Sequence, residues 1–292
     1  MAFFAQSLCA GELDATPGKD FFSAETLNSS VIISGVDYSS GYYGLKKKTQ
    51  MLYIPLVFKH RYNEWDFGLT LSYIRMTGPG GVFSAGDGGV IPTQPQTTQL
   101  NSSGSNPALT NFGNGPGPGP GPGHPEADNI TTNEGLGDAL INLSYAVDMT
   151  LHLPFLLEVG SQLKIPLADK DKELGTGEFD WSVYADLAYN MDGFSPFITL
   201  GYKFMGDPDE VNLKNIFFTS VGLDYHLANQ LHAGVIYDYK EKVLAESYAL
   251  SESTLYVNWS VNQKLSLNTY VVKGFSDGSP DWASGLQFTL SF

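Results

Sequence analysis

Residues 282–292 read WASGLQFTLSF. Every second side chain, Trp282, Ser284, Leu286, Phe288, Leu290 and Phe292, falls on one face; Ala283, Gly285, Gln287, Thr289 and Ser291 fall on the other. Side chains alternate across a strand, so this segment has one nearly apolar face and one face of small or polar groups. Two settings want such a strand. A soluble sandwich buries the apolar face in its core, whereas a membrane barrel turns it to lipid and points the polar face at its lumen.

The rest of the chain decides between them. Alternating runs lie near 31–43, 48–61, 64–77, 135–148, 151–166, 179–190, 194–205, 216–227, 230–241, 251–261, 264–275 and 281–292, about 12 strands. In the third, Trp65, Phe67, Leu69, Leu71 and Tyr73 oppose Asp66, Gly68, Thr70 and Ser72. In the fifth, Leu151, Leu153, Phe155, Leu157, Val159, Leu163 and Ile165 oppose His152, Glu158, Gln162 and Lys164. Charges stand at mid-strand on the polar faces, where a packed soluble core would reject them and a wet lumen accepts them. The fold expected is therefore all-β: a transmembrane antiparallel β-barrel of the outer-membrane type. A terminal aromatic closing the last strand resembles the C-terminal assembly signal of such barrels, which gives Phe292 that role.

The connections argue independently. Turns at Asn63-Glu64, Met149-Thr150, Met191–Gly193, Ala228-Asn229 and Val261–Gln263 are tight, while 78–134, 170–178, 206–215 and 242–250 are mostly longer. Short turns on one side and long loops on the other is the asymmetry of outer-membrane barrels, with the short turns and both termini in the periplasm. Aromatics near strand ends, such as Tyr62, Trp65, Tyr145, Trp181 and Trp282, suit interfacial girdles.

Composition removes other classes. The 292 residues are 42% hydrophobic with 32 glycines, enough for one large β unit of short strands and turns. No run of about 18 apolar residues is present, so no helix of the chain is expected to cross a bilayer. A formal charge of −15 opposes binding to nucleic acid. Cys9 is the only cysteine, so no internal disulfide and no thiolate metal cluster can form.

At the start, residues 1–11 (MAFFAQSLCAG) look like the remnant of a signal peptide, a Gram-negative export signal. Lipidation of Cys9 has a poor approach in Gln6-Ser7-Leu8. Residues 12–30 read as a periplasmic N-terminal arm or a lumen segment, and 31–292 as the barrel. The block 78–134, with GPGPGPGPG at 115–123, offers few side chains to bury and reads as a long disordered outer loop, either a passive insertion or a lid.

Chemistry-bearing constellations are sparse. There is no GxSxG elbow, HExxH or P-loop, so no catalytic residue, cofactor or metal site is assigned and the protein is not expected to be an enzyme. A lipid-cleaving Ser–His pair would have to sit at the outer interface, but His60, His152, His226 and His232 all fall toward the periplasmic rim. Among residues of inward phase, Asp66, Asp138, Glu158, Lys164, Asp186, Lys203, Asp224 and Asp238 are the pore-lining candidates. Asp37, Asp180, Glu252, Lys59, Arg61, Lys240 and Lys264 share that phase. They form either a salt-bridge lattice across the lumen or a polar passage with an acidic bias.

Gly135-Leu136-Gly137-Asp138, Leu163-Lys164-Ile165-Pro166, Leu174-Gly175-Thr176-Gly177 with Asp180, and Pro280-Asp281-Trp282 together resemble elements of a known group. It is the outer-membrane β-barrel "transporter" family linked to meta-pathway phenol degradation. The likeness covers most of residues 50–292, and the Gly-Pro insertion departs from it. It implies a porin-like channel or transporter in the bacterial cell outer membrane that passes small molecules, often hydrophobic or aromatic. Its partners would be outer-membrane lipid and lipopolysaccharide, the barrel-assembly machinery and a small-molecule substrate. The alternative is a plugged structural or interaction barrel displaying its long outer loop to partners.

Overall fold

The computed structural model describes residues 28–80, 82–85, 90–92, 130–147, 155–189, 191, 193–208, 212–245 and 247–292. Its strands are β1 (Asn28–Gly41), β2 (Thr49–Tyr62), β3 (Trp65–Gly78), β4 (Val82–Ser84), β5 (Val90–Pro92), β6 (Thr131–Leu136), β7 (Ala139–Val147) and β8 (Phe155–Ile165). They continue as β9 (Asp180–Tyr189), β10 (Phe194–Phe204), β11 (Ile216–Ala228), β12 (Leu231–Lys240), β13 (Leu250–Asn262), β14 (Leu265–Gly274) and β15 (Trp282–Ser291). Strands β4 and β5 pair only with each other. The others pair antiparallel with their neighbours, and β15 returns to β1, so the sheet closes without an edge.

The seam joins the two ends of the described chain. Register runs from Val31 opposite Ser291 to Ser40 opposite Trp282. At its foot Phe292 and Ser30 exchange backbone bonds, N–H to O, at 3.0 and 3.1 Å. The strand read as an assembly signal is therefore the stave that completes the barrel.

Strands β6 and β7 form one stave broken by a bulge. Leu136 faces Tyr73 and Leu140 faces Thr70, so three residues of this stave stand against two of β3. Gly137 donates its N–H to the Ser72 carbonyl at 2.9 Å, and a Cβ there would collide with the Ser72 hydroxyl and the Ile74 side chain. Glycine is what lets the chain take the extra residue and swing Asp138 into the barrel. Counted as one, these strands bring the wall to twelve staves among the described residues.

Some boundaries differ from expectation. Strand β1 begins at Asn28 rather than 31, and Thr131–Leu136, most of it expected in the outer loop, is paired along the end of β3. The polar TTNE stretch hid that strand, because it has no apolar face to show. Residues 1–27 with Cys9, 93–129, and 148–154 with His152 lie outside the described residues.

Exposure follows the strand period. Along β9, Asp180, Ser182, Tyr184, Asp186 and Ala188 are buried while Trp181, Val183 and Leu187 are exposed. The outward residues at mid-wall are apolar and open: Leu255 is 58% exposed and Val271, its cross-strand neighbour, 55%. Leaving such side chains in water forfeits about 1.5–3 kcal/mol each, and a hydrocarbon surround removes that cost. Outward aromatic pairs mark both rims. Trp65–Tyr145 (4.9 Å between ring centroids) and Phe155–Tyr189 (4.6 Å) stand at the end with the short turns. Tyr38–Trp282 (5.3 Å) and Trp181–Phe204 (5.0 Å) stand at the end with the long loops. The chain is an outer-membrane type barrel.

The interior is built by a repeated device. Tyr184 lies over Gly160, Phe218 over Gly201, Phe197 over Gly222, Tyr256 over Gly234 and Tyr270 over Gly285, each pair directly cross-strand. The missing side chain of one strand leaves the space that the ring of the next one fills.

Candidate functional site: the barrel interior

Two apolar clusters occupy the inside of the wall. One joins Ala188, Phe197, Ile236, Tyr256, Tyr270 and Val272, with Leu156 and Ala283 packed against it. The other joins Tyr43, Met51, Tyr53, Ile74, Met76, Ala168 and Leu174, with Leu45 beside it. In this second cluster Ala168 and Leu174 belong to the loop between β8 and β9, and Tyr43 to the loop between β1 and β2. Leu174 is wholly buried, so the 166–179 loop folds back onto the inner wall at the long-loop end. Burial pushes the Tyr43 phenol above its usual range, so the ring sits there neutral.

Charged groups tie this loop down. Lys164 Nζ lies 3.0 Å from Asp180 Oδ2 and 3.5 Å from Asp138 Oδ2, and it donates to Thr176 Oγ1 of the loop at 2.7 Å. Asp138 accepts the Ala168 N–H at 3.1 Å, and Asp180 accepts the Gly206 N–H from the next outer loop at 3.0 Å. Lys203 closes the group at 3.3 Å from Asp180. Two acids meet two bases, so the cluster is neutral. The side chains of Lys164, Asp138 and Asp180 are 2%, 0% and 1% exposed, which makes this a buried network rather than a wet surface. A second tie lies at the same rim, on the exposed side: Lys48 Nζ, just before β2, meets Asp281 Oδ2, just before β15, at 2.9 Å, which raises the lysine above its usual range.

The other pore-lining candidates also face inward, but they scatter along the wall. Asp66 takes both Arg61 Nε (3.1 Å) and Nη2 (2.6 Å) near the short-turn rim. Glu158 stands directly opposite Asp186, which accepts from Thr199 at 2.5 Å. Asp224 Oδ2 lies 3.1 Å from His232 Nδ1, and its Oδ1 accepts the Tyr256 hydroxyl at 2.6 Å. His226, paired with His232 across β11 and β12, stacks on it with centroids 4.4 Å apart. Asp238 accepts from Ser220 at 2.5 Å and stands opposite Glu252. Asp37 accepts the Tyr270 hydroxyl at 2.6 Å.

The acids and bases thus divide into separate groups, mostly spent on one another and on neighbouring hydroxyls. A serine–histidine contact is also present, Ser30 Oγ to His60 Nδ1 at 2.8 Å. It lies on the outward phase at the short-turn rim, the end opposite the one where a lipid-cleaving pair would have to work.

Sequence reasoning placed the inward carboxylates but missed Leu174, Tyr43 and Thr176 as parts of the site. Their signal was faint: the Leu174-Gly175-Thr176-Gly177 run breaks the polar character of an outer loop. Gly175 is where the loop backbone passes against the Asp138 carboxylate and the Ala168 methyl, a place with no room for a Cβ.

A family model described as "Putative MetA-pathway of phenol degradation" matches residues 67–292, well over half of the chain. No curated protein matches the sequence. Among solved structures, the NanC porin is 8% identical, with 89% of this chain and 98% of that chain covered and a TM-score of 0.49. The KdgM porin in complex with disordered oligogalacturonate is 11% identical, with 88% and 99% covered and a TM-score of 0.48. The toluene transporter TodX of P. putida is 10% identical, with 90% and 87% covered and a TM-score of 0.39. None of these values bears on cargo.

Proposed function

This chain belongs to that phenol-degradation family, and we propose that it is an outer-membrane channel that lets small molecules, hydrophobic or aromatic ones among them, into the cell without chemistry. The observation that carries the reading is the inner lining. A passage for ions and sugars is lined by polar groups and water. Here rings and aliphatic side chains take much of the inner wall, and the loop-covered cluster of Tyr43, Met51, Tyr53, Ile74 and Met76 lies at the long-loop end. An apolar cargo gains by entering such a lining, while the tyrosine hydroxyls and carboxylates beside it can hold a ring hydroxyl.

In this reading Leu174 sits where the cargo's apolar group arrives, and the loop must lift for entry. The test is uptake of a radiolabelled single-ring phenol by cells whose lipopolysaccharide layer excludes it. Expression should speed uptake severalfold, and Leu174→Ala should speed it further, with a sugar of similar size gaining less. Equal uptake with and without the barrel would refute the assignment.

A further inference from the structure

Asp238 and Glu252 face each other directly across β12 and β13, both on the inner wall, and are 4% and 1% exposed. Like charges opposite each other on neighbouring strands repel. A second such pair among the described residues, Glu158 and Asp186, has two bases, Arg61 and Lys59, and one further acid, Asp66, near Glu158. Lys240 lies on the same face two residues along β12, and Tyr43 also faces Glu252. Among the described residues, the two acids and that one lysine sum to a single negative charge.

The oxygen atoms of this patch are also unfilled. Among the described residues, both Glu252 carboxylate oxygens, Asp238 Oδ2 and the hydroxyl of Thr254 have no hydrogen-bond partner, although Thr254 too is only 1% exposed. Thr254 follows Glu252 by two residues and shares its face. The Ser279 hydroxyl, which also faces Glu252, has its proton committed to the Ser251 carbonyl at 3.0 Å. A buried carboxylate with no donor costs several kcal/mol, so something must satisfy it.

We propose that Glu252, Asp238 and Thr254 form a binding site for a hard monovalent cation inside the barrel. Four oxygens and no nitrogen or sulfur are the donor set that hard ions prefer. One positive charge cancels the residual negative one, where a divalent ion would overshoot. The ion would join three neighbouring staves, since Ser220 of β11 already holds Asp238 from the other side.

The experiment is thermal unfolding of the purified barrel in sodium chloride or potassium chloride against choline chloride at equal ionic strength. Choline is too bulky for the patch. In at least one alkali salt the midpoint should rise saturably, by about 3–5 °C at ten times the dissociation constant. Glu252→Gln should abolish that response and be at least as stable as the parent in choline. Thr254→Val removes only a neutral donor; it should fold normally and require more of the ion for the same rise. Equal midpoints in all three salts overturn the proposal, as does a response that survives Glu252→Gln or appears only with Ca²⁺. A proton held on Glu252 would show as salt-independent stability that grows as pH falls, which also overturns it.

Discussion

Replacing Lys164 by methionine is expected to destabilise the barrel by about 3–5 kcal/mol, because it leaves buried carboxylates without their ion. Methionine keeps most of the stem's volume, so the loss is one of charge and hydrogen bonding rather than packing. Asp180 keeps Lys203 at 3.3 Å and the Gly206 N–H. Asp138 keeps only the Ala168 N–H, and its Oδ2 already lacks a hydrogen bond. Adding Asp138→Asn to Lys164→Met should therefore recover a large part of the loss, a coupling that two independent sites would not give. Thr176→Val, which removes one hydrogen bond to the lysine, should cost about 1–2 kcal/mol. Urea unfolding of the four proteins in lipid vesicles provides the numbers. A Lys164→Met barrel as stable as the parent would mean that the network is wet and the seated loop is not held by it.

The second large effect lies on the opposite face of the wall. Leu255→Arg is expected to cost about 2–4 kcal/mol in a bilayer, since Leu255 faces outward near mid-strand between Val235 and Val271. Tyr62→Arg, outward at the short-turn rim, should cost at most about 1 kcal/mol. Lys273 already shows how a charge is accommodated toward the other rim: its Nζ donates to the Asp281 carbonyl at 3.0 Å. A soluble protein would give the reverse pattern, because arginine in place of a leucine that is 58% exposed is harmless in water. Unfolding from vesicles, followed by tryptophan fluorescence, distinguishes the two. Equal stability of Leu255→Arg and the parent would remove the lipid from the account.

Much of the wall was legible because the strand period is local. The alternation in 264–275 and 281–292 assigned Leu267, Val271, Leu286 and Phe288 outward, and the structure exposes or half-exposes those same residues. Inward phase was equally readable at Asp186, Asp224 and Asp238, which are buried. What the sequence hid was pairing between strands. Gly222 and Phe197 lie 25 positions apart, and only the register brings the ring over the glycine. The bulge at Gly137 shifted the phase of one stave, and the polar TTNE strand gave no apolar signal at all. Leu174 was hidden for the same reason, since a loop residue declares its burial only through the partners it meets.

Phase alone leaves two readings of the inward charges open, a salt-bridge lattice or a polar passage. The rings that fill the inner wall change their environment, so Lys164 and its acids bond to one another. Under the proposed function, the 166–179 loop is the element whose retreat would expose the cluster around Tyr53 and Ile74.

Single-channel recording across a planar bilayer tests this most directly, with the parent protein compared to one whose residues 168–177 are replaced by a short Gly-Ser linker. Rare, brief openings are expected for the parent and frequent, larger, steady ones for the shortened loop, with both proteins folded by heat-modified mobility. A folded, shortened barrel that stays silent would contradict it, and would mark the molecule as a plugged scaffold rather than a channel.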